Sequence, residues 1–364
     1  MNLALTEDQA MIRESAAGFL ADASSSAAVR KLMESTTGFD PAVWKNLGTE
    51  LGWCGTAIPE KFGGLGLTPV ELSLIVEQMG KHLLCAPFFS SVCLAANVLV
   101  QAGREDAQQK YLPRIASGEL QATASLEGTE LRARKLKDGW KVSGAIPNLL
   151  DGATAERLFL VASAGNSQAL FVVAQHAPGL TVEPLQGWDG TRRFAYVNLK
   201  NVAAERVDAP ARRHGLDSAR ALARLYLAAE QLGGAQQCLE LALKHVSERK
   251  QFGRAIASFQ AVKHRCAEMM VKVEALRSAV CGVAALAALN PPYAELEREC
   301  AMAKALASDA FFQCAQEGIQ LHGGVGFTWE FDPQLYFKRA QAGSHWLGTA
   351  GAMREQIAAG LLDA

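Results

Sequence analysis

Two short stretches concentrate the residue types that do chemistry. The first, LHGGVGFTWEF over residues 321–331, puts three glycines, three aromatics and a single carboxylate, Glu330, into eleven positions. A carboxylate packed among rings costs free energy unless it is paired, hydrogen-bonded or neutral. The pattern therefore predicts a desolvated acid with a use; the plainer reading is a glycine C-cap followed by a surface or capping acid. The second stretch, SERKQFGRAIASFQAVKH over 247–264, brings Arg249, Gln251, Phe252 and Gly253 together where one long helix ends and the next begins. A guanidinium fork matches a pyrophosphate, and the amides at a helix start favour anions. The alternative is an exposed arginine at a bundle corner.

Other chemistries find little support. GGVG follows a helical pattern rather than a strand and no GxGxxG is present, so a dinucleotide turn of the Rossmann kind is not indicated. The seven histidines form no HExxH spacing, no CxxC pair occurs among the eight cysteines, and GxSxG is missing. No metal site is expected, and the cysteines read as reduced core residues of a cytoplasmic protein. Lysine plus arginine (36) nearly equals aspartate plus glutamate (37), which leaves no basic field for nucleic acid. The apolar run at 278–289 is too short to span a bilayer, and the acidic N-terminus does not read as an export signal.

These residues need elements to hold them. With 364 residues, two or three domains are expected. Residues 1–120 read as helical, with three- and four-residue apolar spacing at 71–84 and 107–120 and a loop at IPEKFGGLGLTP. From 121 to 209 the runs LFLVAS, ALFVVA, GLTVEPL and FAYVNL predict strands, and the lack of helices of crossover length between them predicts an antiparallel sheet. Residues 210–364 return to helix at 217–250, 258–289, 292–322 and 344–361, the pattern of a four-helix bundle. The fold class is α+β multidomain: N-terminal helices, a middle β-domain and a C-terminal bundle.

That order, together with RKQFGRAIASFQ and QLHGGVGFTWEFDPQLYFKRA (320–340), resembles the acyl-CoA dehydrogenase family over essentially the whole chain. TEDQAMIRESAAGFL and IPEKFGGLGL also match. The resemblance implies an FAD-dependent enzyme that converts an acyl-CoA to the 2-enoyl-CoA and passes electrons to an electron-transferring flavoprotein. It implies Glu330 as the base, desolvated and thus more basic. A base on an earlier helix, as in one branch of the family, would fall at Ala223; Glu230, two turns further on, is a distant second. Arg249, Gln251, Phe252, Gln260, Gln320 and Gly324 match positions that contact FAD across a subunit interface, and Gly348 and Thr349 match the end of a Glu-Gly-Thr flavin segment.

Some positions depart from the family pattern. ASLEGTELRARKL (124–136) replaces its middle-domain turn, Asn148 and Leu150 stand where a tryptophan and a threonine flank the flavin ring, and Leu347 stands at the glutamate of Glu-Gly-Thr. This combination resembles shorter bacterial members that form mixed tetramers of two dehydrogenase chains. Either a homo-oligomer or such a mixed tetramer is expected, with this chain as the enzyme or as a half-site partner.

Overall fold

A computed structural model describes residues 4–127 and 130–362. In chain order the elements are α1 (Glu7–Ala23), α2 (Ser26–Glu34), α3 (Pro41–Lys45), α4 (Pro69–Lys81), α5 (Asn97–Ala102), α6 (Glu105–Ala116), then β1 (Ala122–Ser125), β2 (Arg132–Leu136), β3 (Gly139–Leu150), β4 (Arg157–Ala164), β5 (Ser167–Ala174), β6 (Leu180–Leu185) and β7 (Phe194–Arg206). They are followed by α7 (Gly215–Glu248), the hairpin β8 (Lys250–Gln251) and β9 (Arg254–Ala255), α8 (Gln260–Ala288), α9 (Tyr293–His322), α10 (Pro333–His345) and α11 (Ala350–Leu362). Local chemistry sets several of these starts. Thr6 and Gln9 close a reciprocal capping box on α1, and Asp40 caps α3 just ahead of Pro41. Pro333 opens α10 at a position where its missing N–H costs nothing.

The chain divides into two compact units, one made of Met1–Arg30, Pro69–Leu84 and Arg224–Ala364, the other of Lys31–Thr68 and Cys85–Ala223. The second unit holds the seven-stranded sheet. Its pairings run β4, β2, β3, β7, β5 and back to β4, so the sheet closes on itself, with β1 added to β4 and β6 added to β7. Closure pairs both edges of the five ring strands and leaves β1 and β6 as the outer ones. Leu131, Val142, Leu158, Phe171 and Val197 fill the interior. Most pairings are antiparallel as expected, but β1 runs parallel to β4, and β2 meets β4 in parallel at Arg132. A parallel partner needs a crossover long enough to return the chain, and here the β2–β3 hairpin supplies it in place of a helix. Gly128 and Thr129, within the altered 124–136 segment, lie outside the described residues.

In the first unit the expected helices at 217–250, 258–289 and 292–322 are α7, α8 and α9. The fourth, expected over 344–361, is α11, which starts only at Ala350, while α10 lies almost wholly ahead of the expected range as a further helix. Leu347 (φ +56°) and Gly348 (φ +103°) lie between α10 and α11 in left-handed conformations that no α-helix includes. Arg224 Nε fixes that corner by donating to the Leu347 carbonyl at 3.2 Å. Helices α4 and α7 cross closely because glycines face backbone: a Cβ on Gly80 would sit 1.9 Å from the Glu230 carbonyl oxygen, and one on Gly233 1.8 Å from that of Glu77. All eight cysteines are free. Among the described residues no helix is long and apolar enough to cross a membrane, and no cluster of metal-ligating side chains occurs.

Candidate functional site

The last turn of α7 runs into a two-residue hairpin turn, Phe252-Gly253, flanked by Lys250–Gln251 and Arg254–Ala255. Both turn residues have positive φ, +53° for Phe252 and +76° for Gly253, which is the geometry that fits the twist of a tight hairpin. Glycine adopts it freely; phenylalanine does so only under strain. The Phe252 ring is nevertheless 91% exposed, in a T-shaped contact with Phe259 at 6.1 Å between centroids. Arg249, Gln251 and Gln260 are exposed as well. Gln260 opens α8, whose first turn receives no side-chain cap, leaving backbone N–H groups available. The hairpin thus presents a fork, an amide, a ring and a helix start outward, as an anion clamp requires.

Helix α9 ends at His322, and a single 3₁₀ segment, Gly323–Phe327, leads into the turn carrying Glu330. Gln320 and Gly324 are exposed here, and a Cβ on Gly323 or Gly324 would meet nothing. The helix ends bearing the hairpin and this turn touch: the rings of His245 and His322 stack with centroids 4.2 Å apart. The expected burial of Glu330 is not found in the single chain. Its side chain is fully exposed, and its carboxyl lies below the ordinary range, held there first by its own backbone N–H, then by the Thr328 hydroxyl and the charge of Arg30. The reason is geometric. Phe327 (72% exposed) and Trp329 (48%) leave the acid open to solvent instead of closing over it, and the Trp329 ring packs against Arg30 and Lys338.

Arg30, on α2 and far away in sequence, is what holds this turn. Its Nη2 donates to Asp332 Oδ1 at 2.6 Å and to the Phe331 carbonyl at 3.1 Å, and its guanidinium lies 5.0 Å from the centre of the Trp329 ring. Ser26 Oγ donates to the same Asp332 oxygen at 2.6 Å. No local sequence pattern marks Arg30. The other candidate base, Glu230, is buried and bound by the equally buried Arg339. Ala223 is a buried methyl group. Gly348 and Thr349 lie on the α10–α11 corner, where the Thr349 hydroxyl accepts from the Ala352 N–H at 3.2 Å.

The C-terminal domain model of the acyl-CoA dehydrogenases matches residues 217–362, and their N-terminal domain model matches residues 6–119. The acyl-CoA dehydrogenase IpdE2 of Mycobacterium tuberculosis is 31% identical over 341 residues, 94% of this chain and 93% of its own. The chain belongs to the acyl-CoA dehydrogenase family. As an acyl-CoA dehydrogenase it keeps the fold in full: the ChsE4-ChsE5 complex from Mycobacterium tuberculosis contains a chain that is 26% identical and superposes with a TM-score of 0.91, all of both chains being covered. A chain from a variant of the Tcur3481-Tcur3483 steroid ACAD reaches the same score of 0.91 at 26% identity over 98% of each chain.

The family's cofactor is FAD, and this acyl-CoA dehydrogenase fits one end of it. In the first unit the Arg249 hairpin, the uncapped start of α8 and the open approach at Gly323 and Gly324 suit a pyrophosphate and its adenosine. At the positions matched to the flavin ring the fit fails. Asn148 offers an exposed amide in place of an indole, and Leu150 is a buried side chain whose carbonyl already accepts from Thr123 Oγ1 at 2.6 Å. Leu347 is buried, with no acid to present.

Proposed function

We propose that this chain serves the FAD-dependent α,β-dehydrogenation of an acyl-CoA thioester as one chain of a mixed oligomer, contributing the clamp on FAD while a partner dehydrogenase chain supplies the base. The observation that carries this is the hairpin at Phe252-Gly253, strained and pointing outward with Arg249 and Gln251. Strain of that kind persists where something else rewards it. Arg249, Gln251, Phe252, Gln260, Gln320 and Gly324 reach the cofactor of the neighbouring subunit, with Gly348 and Thr349 on the matched corner. Bound FAD supplies the hydride acceptor. The exposed rings of Phe252, Phe327 and Trp329 are the apolar surface that a second chain covers. Residues 1–120, 121–209 and 210–364 act as the three domains, the compartment is the cytoplasm, and electrons leave through an electron-transferring flavoprotein.

A second reading keeps the base in this chain. Glu330 stands on a turn with open approach at its glycines and with rings on both sides, so a thioester and a partner surface closing over it would remove its water and raise its basicity. One experiment separates the two readings: purify the chain alone and co-expressed with a second dehydrogenase chain, record visible spectra, and titrate with a panel of acyl-CoAs that includes steroid-derived ones. We expect a colourless chain alone, a yellow assembly, and Glu330→Gln assemblies that are still bleached by substrate at the wild-type rate. A yellow protein alone that acyl-CoA bleaches overturns the half-site reading. Loss of bleaching in Glu330→Gln with FAD retained assigns the base to Glu330.

A further inference from the structure

We propose that the stacked imidazoles of His245 and His322 are a positioning pair, setting the Arg249 hairpin against the Glu330 turn only while both rings are neutral. The consequence for cofactor binding rests on the clamp reading above; the positioning itself does not. His245 occupies the last turn of α7, and its carbonyl accepts from the Arg249 N–H at 2.9 Å, so the ring and the clamp arginine share one helical turn. His322 is the last residue of α9 and the first step into the glycine turn. Between them lies the 4.2 Å stack, inclined by only 25°. On its other side the His322 ring meets Phe331 edge-on, with centroids 6.3 Å apart. The chain of contact therefore runs from the clamp, through two imidazoles, to the residue after Glu330.

The tautomer is fixed on one ring. His322 Nδ1 lies 2.7 Å from the Gly318 carbonyl, which only accepts, so Nδ1 carries the proton and Nε2 is bare when the ring is neutral. A proton added at Nε2 creates a buried cation stacked on a second imidazole, and protonating both sets like charges about 4 Å apart. The groups facing the pair are few. His245 faces His322 from α9 and, along its own segment, Arg249 and Glu248; His322 faces the Gly318 carbonyl, His245 from α7 and the uncharged Phe331 ring. Burial lowers the proton affinity of both rings, with His322 and then Arg249 lowering that of His245 further, against the opposing pull of Glu248. The Gly318 bond opposes the shift at His322. The helix C-termini would favour a cation, yet desolvation dominates at both.

The sign follows. A histidine whose folded affinity for protons is depressed favours the folded arrangement above the unfolded value near 6.5, and this support is withdrawn as pH falls from there through the lower folded value. Trp329 reports the turn, and its fluorescence is isolated as the difference between wild type and Trp329→Phe in the full chain from pH 8 to pH 5. Glu330 is held below the ordinary carboxylate range, so its own titration lies to the acid side of the imidazoles'.

We expect a transition centred below pH 6.5 in wild type, and its loss in His245→Phe, which keeps a stacked ring but cannot be protonated. In the co-expressed, FAD-loaded assembly, wild type should release cofactor roughly tenfold more readily across the same interval, and His245→Phe should not. A transition unchanged in His245→Phe, or none in wild type, overturns the pair. If the Trp329 transition follows the imidazoles while no assembly binds FAD at any pH, the pair stands and the clamp reading falls.

Discussion

The hairpin at 250–255 and the turn at 323–332 leave helix ends that touch, and both expose aromatic rings, yet they are held in opposite ways. The hairpin's strain is local: a phenylalanine at φ +53° with its ring 91% exposed, beside an exposed guanidinium. The turn is already satisfied from inside, with Arg30 and Ser26 on Asp332, Arg30 on the Phe331 carbonyl, and Thr328 together with its own N–H on the Glu330 carboxylate. One segment, on the proposed reading, receives a group from outside. The other is built to keep an acid ionised. A base for carbon acids needs the reverse of the second arrangement, a carboxylate starved of donors.

The comparison would break if another carboxylate in the same unit were free to move a proton, and Glu230 is the one to remove. Glu230→Gln breaks the buried ion pair with Arg339, and we expect a loss of about 3–5 kcal/mol in urea unfolding. A neutral result would show that the pair contributes nothing to folding and return Glu230 to the list of bases. A smaller effect sharpens the contrast from the turn's side. Arg30→Ala removes charge-assisted bonds to Asp332 and Phe331 that are largely shielded from water, and should cost about 1.5–3 kcal/mol. In the same variant the Glu330 carboxyl, followed by NMR, should move up toward the ordinary range but stay below it, because its own N–H and Thr328 remain. The sign is that of a depressed acid: its contribution is present above the unfolded value and lost as pH falls through the folded one. If Arg30→Ala leaves that titration where it was, the turn is fixed by its backbone alone.

How far these features were legible in the sequence depends on their range. Helix α9, the glycine turn after it and the break between two helices at Phe252-Gly253 follow from spacing and turn chemistry within a dozen residues, and each lies where the pattern places it; that the break is a hairpin was not foreseen. The split between α10 and α11 was harder, because Leu347 gives no sign that it sits at positive φ; only Gly348 hints at a break. The parallel β1–β4 pairing depends on how the β2–β3 hairpin folds back, a long-range outcome that alternation cannot encode. The exposure of the Glu330 side chain escaped the sequence for a related reason. Three rings within five positions predict a dry pocket, but whether rings close over an acid depends on what lies opposite, and here Arg30 draws Trp329 and Phe331 to one side.

The smallest effect tests the hairpin's side of the contrast, and it separates stability from function in one substitution. Phe252→Asn places Asn-Gly in a turn whose two residues both have positive φ, the pair that such turns favour. Relieving the strain should hold the chain's stability constant or raise it by about 0.5 kcal/mol, since the ring removed is 91% exposed and in a T-shaped contact with Phe259. The same substitution should lower the FAD content of the co-expressed assembly, because the ring is what the strain presents. Equal FAD content would make Phe252 an unrewarded outlier. A loss of stability instead would mean that Phe259 and Phe252 hold the hairpin together, and that the strain is compensated within the chain.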